Sequence, residues 1–306
     1  LPYVTEYSAD ILFKFDFLFV LLQYCFYLIR GVFMALFQCH FKSLALHTST
    51  SVAVVLPDAE SGESKSDLKK GRKYQALYLL HGLCDDWSKW VRRTPIERYA
   101  QKYNLAVIMP DGGKSFYTDM LYGGKYWTYI SKELPQIVRT YFPISDRPED
   151  NFVAGASMGG YGSFKLAMKK PGNFCAAASF SGAVDIARLF TSRYQDPNLN
   201  FDIDFQKLGY AIFGGTDKIQ GTESDLYCLA KELKISGEKA PKLFQFCGID
   251  DGLYSDNLAF KKYLEKLGFD LTFHEGPGGH TWEYWDFCIR QALQEFPLSE
   301  TTTEER

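Results

Sequence analysis

The sequence lacks the residue groupings that announce metal, nucleotide or nucleic-acid chemistry. It has no C-x-x-C pair and no tight Cys/His cluster. Its seven cysteines (Cys25, Cys39, Cys84, Cys175, Cys228, Cys247, Cys288) are odd in number and scattered, which argues against a disulfide framework and reads as reduced thiols in a reducing compartment. Thirty-four basic residues stand against 37 acidic ones, a formal charge of -3. There is no basic stripe of the kind a phosphate backbone selects, so nucleic acid is not an expected partner. No 20–50-residue repeat and no low-complexity array appears, which sets solenoids and propellers aside. What the 306 residues do have is 46% hydrophobic and 16% aromatic content, enough to bury one substantial core as one domain with a small insertion.

Long apolar runs are also scarce, with one exception near the amino terminus. Residues 11–29 (ILFKFDFLFVLLQYCFYLI) are apolar apart from Lys14, Asp16 and Gln23. The uninterrupted part is short for a membrane span of about 20 residues, and the preceding Glu6 and Asp10 stand where a signal peptide wants positive charge. We expect residues 1–33 to be an extension outside the fold, with an upstream-translated stretch, an anchor and an uncleaved signal as the competing readings. Membrane contact is expected only if 11–29 is a real anchor. The domain then runs over 34–298 and ends in a polar tail, 299–306.

From Ser51 onward short apolar runs alternate with amphipathic stretches, the pattern of an α/β fold with a mostly parallel sheet covered by helices on both faces. Strands are expected at 51–56, 76–80, 105–109, 151–154, 176–180, 243–247 and 271–274, and helices at 95–102, 127–141, 160–169, 257–267 and 281–294. The charged stretch 59–73 reads as an exposed loop, and 186–241, with weaker periodicity, as a cap-like insertion.

The sharpest motif is Asn151-Phe-Val-Ala-Gly-Ala-Ser-Met-Gly-Gly160, in which an apolar strand runs into G-x-S-x-G and then into a helix pattern. That context suits a serine nucleophile, because Ser157 must stand on a tight turn and Gly155 and Gly159 let strand and helix approach. A phosphate-cradling loop fails because the G-K-[ST] ending is absent. A serine hydroxyl needs a base to take its proton. Of five histidines, His280 follows an expected strand and precedes the last helix, where that base belongs; His274 lies within the strand, and His40 and His47 join no constellation. The acid that orients the imidazole should lie between them in the chain, in a loop after a strand, and Asp250-Asp251-Gly252 supplies two candidates. The Gly-x-x-Asp spacing favours Asp251, with Asp250 as the competitor. Backbone N–H groups of Leu83, after the strand ending Leu80-His81-Gly82, and of Met158 are the expected oxyanion donors, with His81 structural. Phe116, Tyr117, Tyr122 and Trp282 are candidates for a substrate pocket.

With these residues in place, the chain resembles the putative-esterase (esterase D-like) family of α/β-hydrolases, through LYLLHG, AGASMGGYGSFKLA, AASFSGA, FCGIDDGLY and GGHTWEYW. The likeness is greatest to bacterial tributyrin esterases, with S-formylglutathione hydrolase related, and covers about 34–297. It implies a cofactor-free, metal-free serine esterase, usually cytoplasmic, that takes a small-molecule ester with a short acyl chain and sometimes acetylated or feruloylated carbohydrate. It carries the triad onto Ser157, Asp251 and His280. Two departures stand out. The loop LCDDWSKW replaces the Leu-Thr-Cys-Thr run usual in S-formylglutathione hydrolases, and the hydrophobic leader leaves a membrane-anchored or secreted protein open. Acyl transfer on the same fold is the rival activity. A non-catalytic binding fold would usually have lost one of the three triad residues. Oligomeric state is not legible, a homo-oligomer being compatible.

Overall fold

The computed structural model describes residues 35–57, 73–191 and 203–299. The leader 1–33, all of the loop 59–73 but Lys73, and all of the tail but Ser299 lie outside the described residues. Eight strands form one sheet: β1 (Ala35–Ser43), β2 (Thr48–Leu56), β3 (Gln75–Leu80), β4 (Leu105–Pro110), β5 (Asn151–Ala156), β6 (Ala176–Phe180), β7 (Lys242–Gly248) and β8 (Leu271–Gly276). Their order is β1-β2-β4-β3-β5-β6-β7-β8, antiparallel from β1 through β2 to β4 and parallel thereafter.

The inner strands read as continuous Val, Leu, Ala and Phe because both faces are covered, as parallel sheets require. On one face Val54, Tyr78, Val153 and Leu243 pack with Leu134 and Val138 of α3 (Leu134–Tyr141), Tyr161 and Phe164 of α4 (Met158–Lys169), and Phe260 and Leu264. On the other, Leu77, Leu79, Phe152 and Phe244 meet Trp90 of α1 (Lys89–Arg93), Ile96 and Ala100 of α2 (Ile96–Lys102), and the Trp285–Ile289 stripe near the carboxyl terminus. Between β6 and β7 lie α5 (Ile186–Thr191), α6 (Phe205–Phe213) and α7 (Leu226–Ser236). The last two helices are α8 (Tyr254–Lys266) and α9 (Trp282–Glu295).

Three elements differ from expectation, the first being the short helix α1, which no expected helix covers. Strand β1 was not anticipated: it is an edge strand, and the alternation that turns Cys39 and Phe41 inward is blurred by Leu36, which is 43% exposed on the solvent face. The helix expected over 127–141 is interrupted by a π-helical turn, Tyr129–Glu133, before α3. Pro135 has no N–H to continue the i→i−4 ladder, so the chain loosens just ahead of it. Glu133, on that turn, receives Ser43 Oγ at 2.5 Å and the Leu44 N–H at 2.6 Å, and so clamps the β1–β2 hairpin.

One buried cation is set into this frame. Lys165 of α4 is 1% exposed and donates to Thr118 Oγ1 at 2.7 Å. Burial, and after it the charge of Lys169, brings its pKa from 10.5 to about 7 against the opposing pull of Glu223 and Asp119. The unfolded chain therefore holds a proton that the folded chain sheds, and this site makes folding more favourable as pH rises from about 7 towards 10.5. In thermal melts, Lys165→Met should gain most over the wild type at pH 6 and progressively less towards pH 9. A difference that does not change with pH would refute this.

Candidate active site

The parallel strands end on one edge of the sheet, and the loops leaving β3, β5, β7 and β8 gather there the residues singled out by motif. Ser157 sits between β5 and α4 with φ 56° and ψ −116°, a left-handed conformation that a non-glycine residue adopts at a cost of about 1–3 kcal/mol. The turn is held by Ser157 N–H to Phe180 O at 2.8 Å and by Ser157 O accepting from Tyr161 and Ala183, each at 3.1 Å. It needs glycine on both sides: a Cβ at Gly155 would lie 2.5 Å from the Gly159 carbonyl, and one at Gly159 would lie 2.4 Å from Leu80 O.

His280, in the loop between β8 and α9, brings Nε2 to 2.9 Å from Ser157 Oγ. Its Nδ1 lies 3.0 and 3.2 Å from the two carboxylate oxygens of Asp251, in the loop after β7. Asp251 is 5% exposed and accepts the Leu253 N–H at 2.8 Å. Burial alone would raise its pKa; the hydrogen bond and charge of His280, with smaller help from Ser181 and the Leu253 amide, more than offset it and leave the carboxyl below its ordinary value. Asp250 is exposed and turned the other way, accepting from Gly278 N–H at 3.3 Å. The Trp285 ring system packs roughly perpendicular to the imidazole, with centroids 4.9 Å apart.

The acid and histidine loops also touch each other through their glycines. A Cβ at Gly248, where β7 ends, would fall 2.0 Å from Gly278 O. We expect Gly248→Ala to push the histidine loop outward, lowering kcat about 100-fold while costing about 1–3 kcal/mol of stability, by overpacking and lost alignment. Circular dichroism melts beside esterase rates would test it; wild-type rates in the variant would refute it.

The β3 loop lies against the serine, the Cβ position of Gly82 being 3.5 Å from Ser157 Cβ. His81 is 1% exposed; its Nδ1–H donates to Gly82 O at 2.7 Å and its Nε2 accepts the Gly112 N–H at 2.8 Å, an arrangement that fits a neutral ring. A trans peptide points its C=O and the following N–H in opposite directions, so the first bond turns the Leu83 N–H away from the ring. Neither the Leu83 nor the Met158 N–H has an acceptor among the described residues, and Met158 is the first residue of α4, where amides are left free.

The four aromatic candidates are not brought into one wall. Phe116 and Tyr117 are 1% and 0% exposed and belong to the core, so they are corrected from pocket lining to scaffold: a side chain with no accessible surface lines no open site. Tyr122 is 61% exposed and stacks on Tyr210 at 5.5 Å. Trp282 packs edge-on against Trp90 and Trp285 at 5.0 and 5.1 Å, on the α1/α9 face. The partners of His81 were not anticipated, because no spacing rule connects it with Gly112 and Tyr117, 31 and 36 residues away.

An eight-stranded, mostly parallel sheet with helices on both faces, and a serine on a strand–helix elbow, define an α/β-hydrolase. The model of the family described as "Esterase: Putative esterase" matches residues 43–234. An acetyl esterase of Caldicellulosiruptor saccharolyticus is 29% identical over 263 residues, 85% of this chain and 97% of that protein. Among solved structures, the fluorophosphonate-binding serine hydrolase FphF of Staphylococcus aureus superposes with TM-score 0.78 at 35% identity, over 87% of this chain and 99% of that one. The S-formylglutathione hydrolase FrmB of Staphylococcus aureus gives 0.75 at 35% identity, over 86% and 98%. The chain belongs to this esterase family and is a carboxylic ester hydrolase. No helix among the described residues is long and apolar enough to cross a membrane.

Proposed function

We propose that the protein is a serine carboxylesterase that hydrolyses short-chain acyl esters through an acyl-enzyme on Ser157. The observation that carries this reading is the continuous chain from Ser157 Oγ to His280 Nε2 and from His280 Nδ1 to Asp251, at 2.9 and 3.0 Å. His280 takes the serine proton as Oγ attacks the ester carbonyl, and Asp251 holds the ring with Nδ1–H towards itself and stabilises the imidazolium. The oxyanion of the tetrahedral intermediate is received by the Leu83 and Met158 amides, which no acceptor among the described residues competes for. His280 then gives its proton to the departing alcohol, and water repeats the sequence to release the acid.

The short acyl chain is supported by likeness to an acetyl esterase. A second reading, hydrolysis of S-formylglutathione, is favoured by the 35% identity to FrmB and opposed by the Leu-Cys-Asp-Asp run after Gly82. We place the protein in the cytoplasm, a reading supported by six described cysteines, all free; cell fractionation tests it. We propose a leader over 1–33, a catalytic domain over 34–298 with α5 to α7 in its cap-like insertion over about 186–241, and a polar tail over 299–306.

The test is turnover of p-nitrophenyl esters from acetate to laurate, beside S-formylglutathione. We expect rates highest on acetate to butyrate and falling by about tenfold or more at laurate, on the scale at which a filled pocket discriminates methylenes. A preference for laurate would overturn the short-chain reading. A thioester rate exceeding the ester rates would favour the second reading, and transfer to an added alcohol without hydrolysis would make the protein an acyltransferase.

A further inference from the structure

Phe116 and Tyr117 are consecutive, neither is glycine, and both have φ of 47°. Such a pair stays in the left-handed region only if its surroundings hold it there. Here the bonds are specific. Ser115 Oγ donates to Gly112 O at 2.6 Å and accepts the Tyr117 N–H at 3.0 Å, while Thr118 Oγ1 donates to Phe116 O at 2.9 Å. Thr118 is in turn gripped by the buried Lys165 Nζ at 2.7 Å. Lys165 lies on α4, the helix that begins beside Ser157. Gly162, on the same helix, leaves the space that the Tyr117 ring fills: a Cβ there would stand 2.3 Å from Tyr117 Cδ2.

The strained turn delivers one group to one target, the Tyr117 hydroxyl donating to His81 O at 2.8 Å. From the same loop the Gly112 N–H meets His81 Nε2, and His81 Nδ1–H holds Gly82 O. The two peptides ahead of the Leu83 N–H are thus each fixed by a donor from buried side chains. Tyr117 is fully buried, and desolvation foremost raises its pKa well above 10, so the phenol stays a donor throughout the working pH range.

We propose that Tyr117 is a positioning residue for the oxyanion site: seated by the turn that Thr118 and Lys165 lock to the nucleophile helix, its hydroxyl sets the direction of the Leu83 amide through the His81 carbonyl. The inference rests on the reading of Leu83 and Met158 as oxyanion donors. One helix then governs both donors, Met158 as its first residue and Leu83 through the 112–118 loop packed on it.

The test is Tyr117→Phe, which keeps the ring and removes only the donor, with Thr118→Val as the second variant. Active sites are counted by stoichiometric titration with a fluorophosphonate, so that unfolded molecules drop out. Removing an oxyanion donor outright costs about 10²–10³ in rate, and a misdirected one a part of that. We expect Tyr117→Phe to lower kcat per titrated site on p-nitrophenyl acetate about tenfold, with KM within about twofold. Binding of an alkyl trifluoromethyl ketone, which adds to Ser157 Oγ as its proton passes to His280 and leaves an oxyanion on the adduct, should weaken by the same factor. The pH profile should keep its shape, because His280 and Asp251 are untouched. Thr118→Val should follow in the same direction, about threefold, and the double variant should lose less than the product of the two. Per-site kcat and ketone affinity within twofold of wild type in whichever variants fold would overturn the positioning role, while wild-type enzyme without Ser157-dependent turnover would overturn the esterase reading beneath it.

Discussion

Ser157→Ala and His280→Ala will each lower kcat/KM on p-nitrophenyl acetate by about 10⁴-fold or more, and the double variant will fall no further than the worse single. The two residues act as one device. At 2.9 Å, Nε2 of His280 is placed to take the Ser157 proton, and no other side chain among the described residues is hydrogen-bonded to that hydroxyl. Without the hydroxyl the base has no proton to accept, and without the base the hydroxyl is a weak nucleophile, so the second loss removes nothing the first left behind. Residual rate in all three variants would then come from substrate binding and from the amides proposed to receive the oxyanion, those of Leu83 and Met158. Because neither side chain belongs to the two apolar clusters that form the core, melts should stay close to wild type. Multiplicative losses in the double variant would show that serine and histidine serve separate steps.

The parts of the site that were legible beforehand are those where chemistry and local chain geometry coincide. Gly155 and Gly159 flank Ser157 because a strand and a helix meet there closer than any side chain permits, and that requirement is written locally. The inner strands were legible because burial on both faces leaves an unbroken apolar run. Strand β1 was not, since half of it faces water and Leu36 sits on the wrong side for a clean alternation. As aromatics in a glycine-rich loop, Phe116 and Tyr117 suit a pocket; their burial follows from a turn held by Ser115, Thr118 and Lys165, three side chains whose contacts no periodicity reveals. The choice between Asp250 and Asp251 was close on paper because adjacent residues share every long-range feature and differ only in direction. In the fold one points inward to His280 and the other meets a backbone amide at the surface.

That difference in direction carries the second large effect, with Asp251→Asn expected to cost about 10³–10⁴ in kcat/KM and Asp250→Asn no more than about threefold. An asparagine at 251 can present its amide N–H₂ to His280 Nδ1, which then serves as the acceptor, and the ring proton moves to Nε2. The nitrogen facing Ser157 would become a donor, unable to take the serine proton. The carboxylate also stabilises the imidazolium formed as the serine attacks, and an amide cannot. Its lowered pKa reflects the same contact: burial opposes the charge, and the bond to His280 more than compensates. For folding, a depressed carboxyl pKa means stability present above the unfolded value of 3.8 and lost as pH falls through the lower folded value, so Asp251→Asn should flatten acid unfolding below pH 4. At position 250 an asparagine still offers an oxygen to the Gly278 N–H, and no catalytic group depends on its charge. Steady-state rates at pH 8 for the two variants, with titrated sites, decide the matter. Equal losses at 250 and 251 would mean that the acid loop can present either carboxylate to the histidine, and that the single orientation described above is one of two.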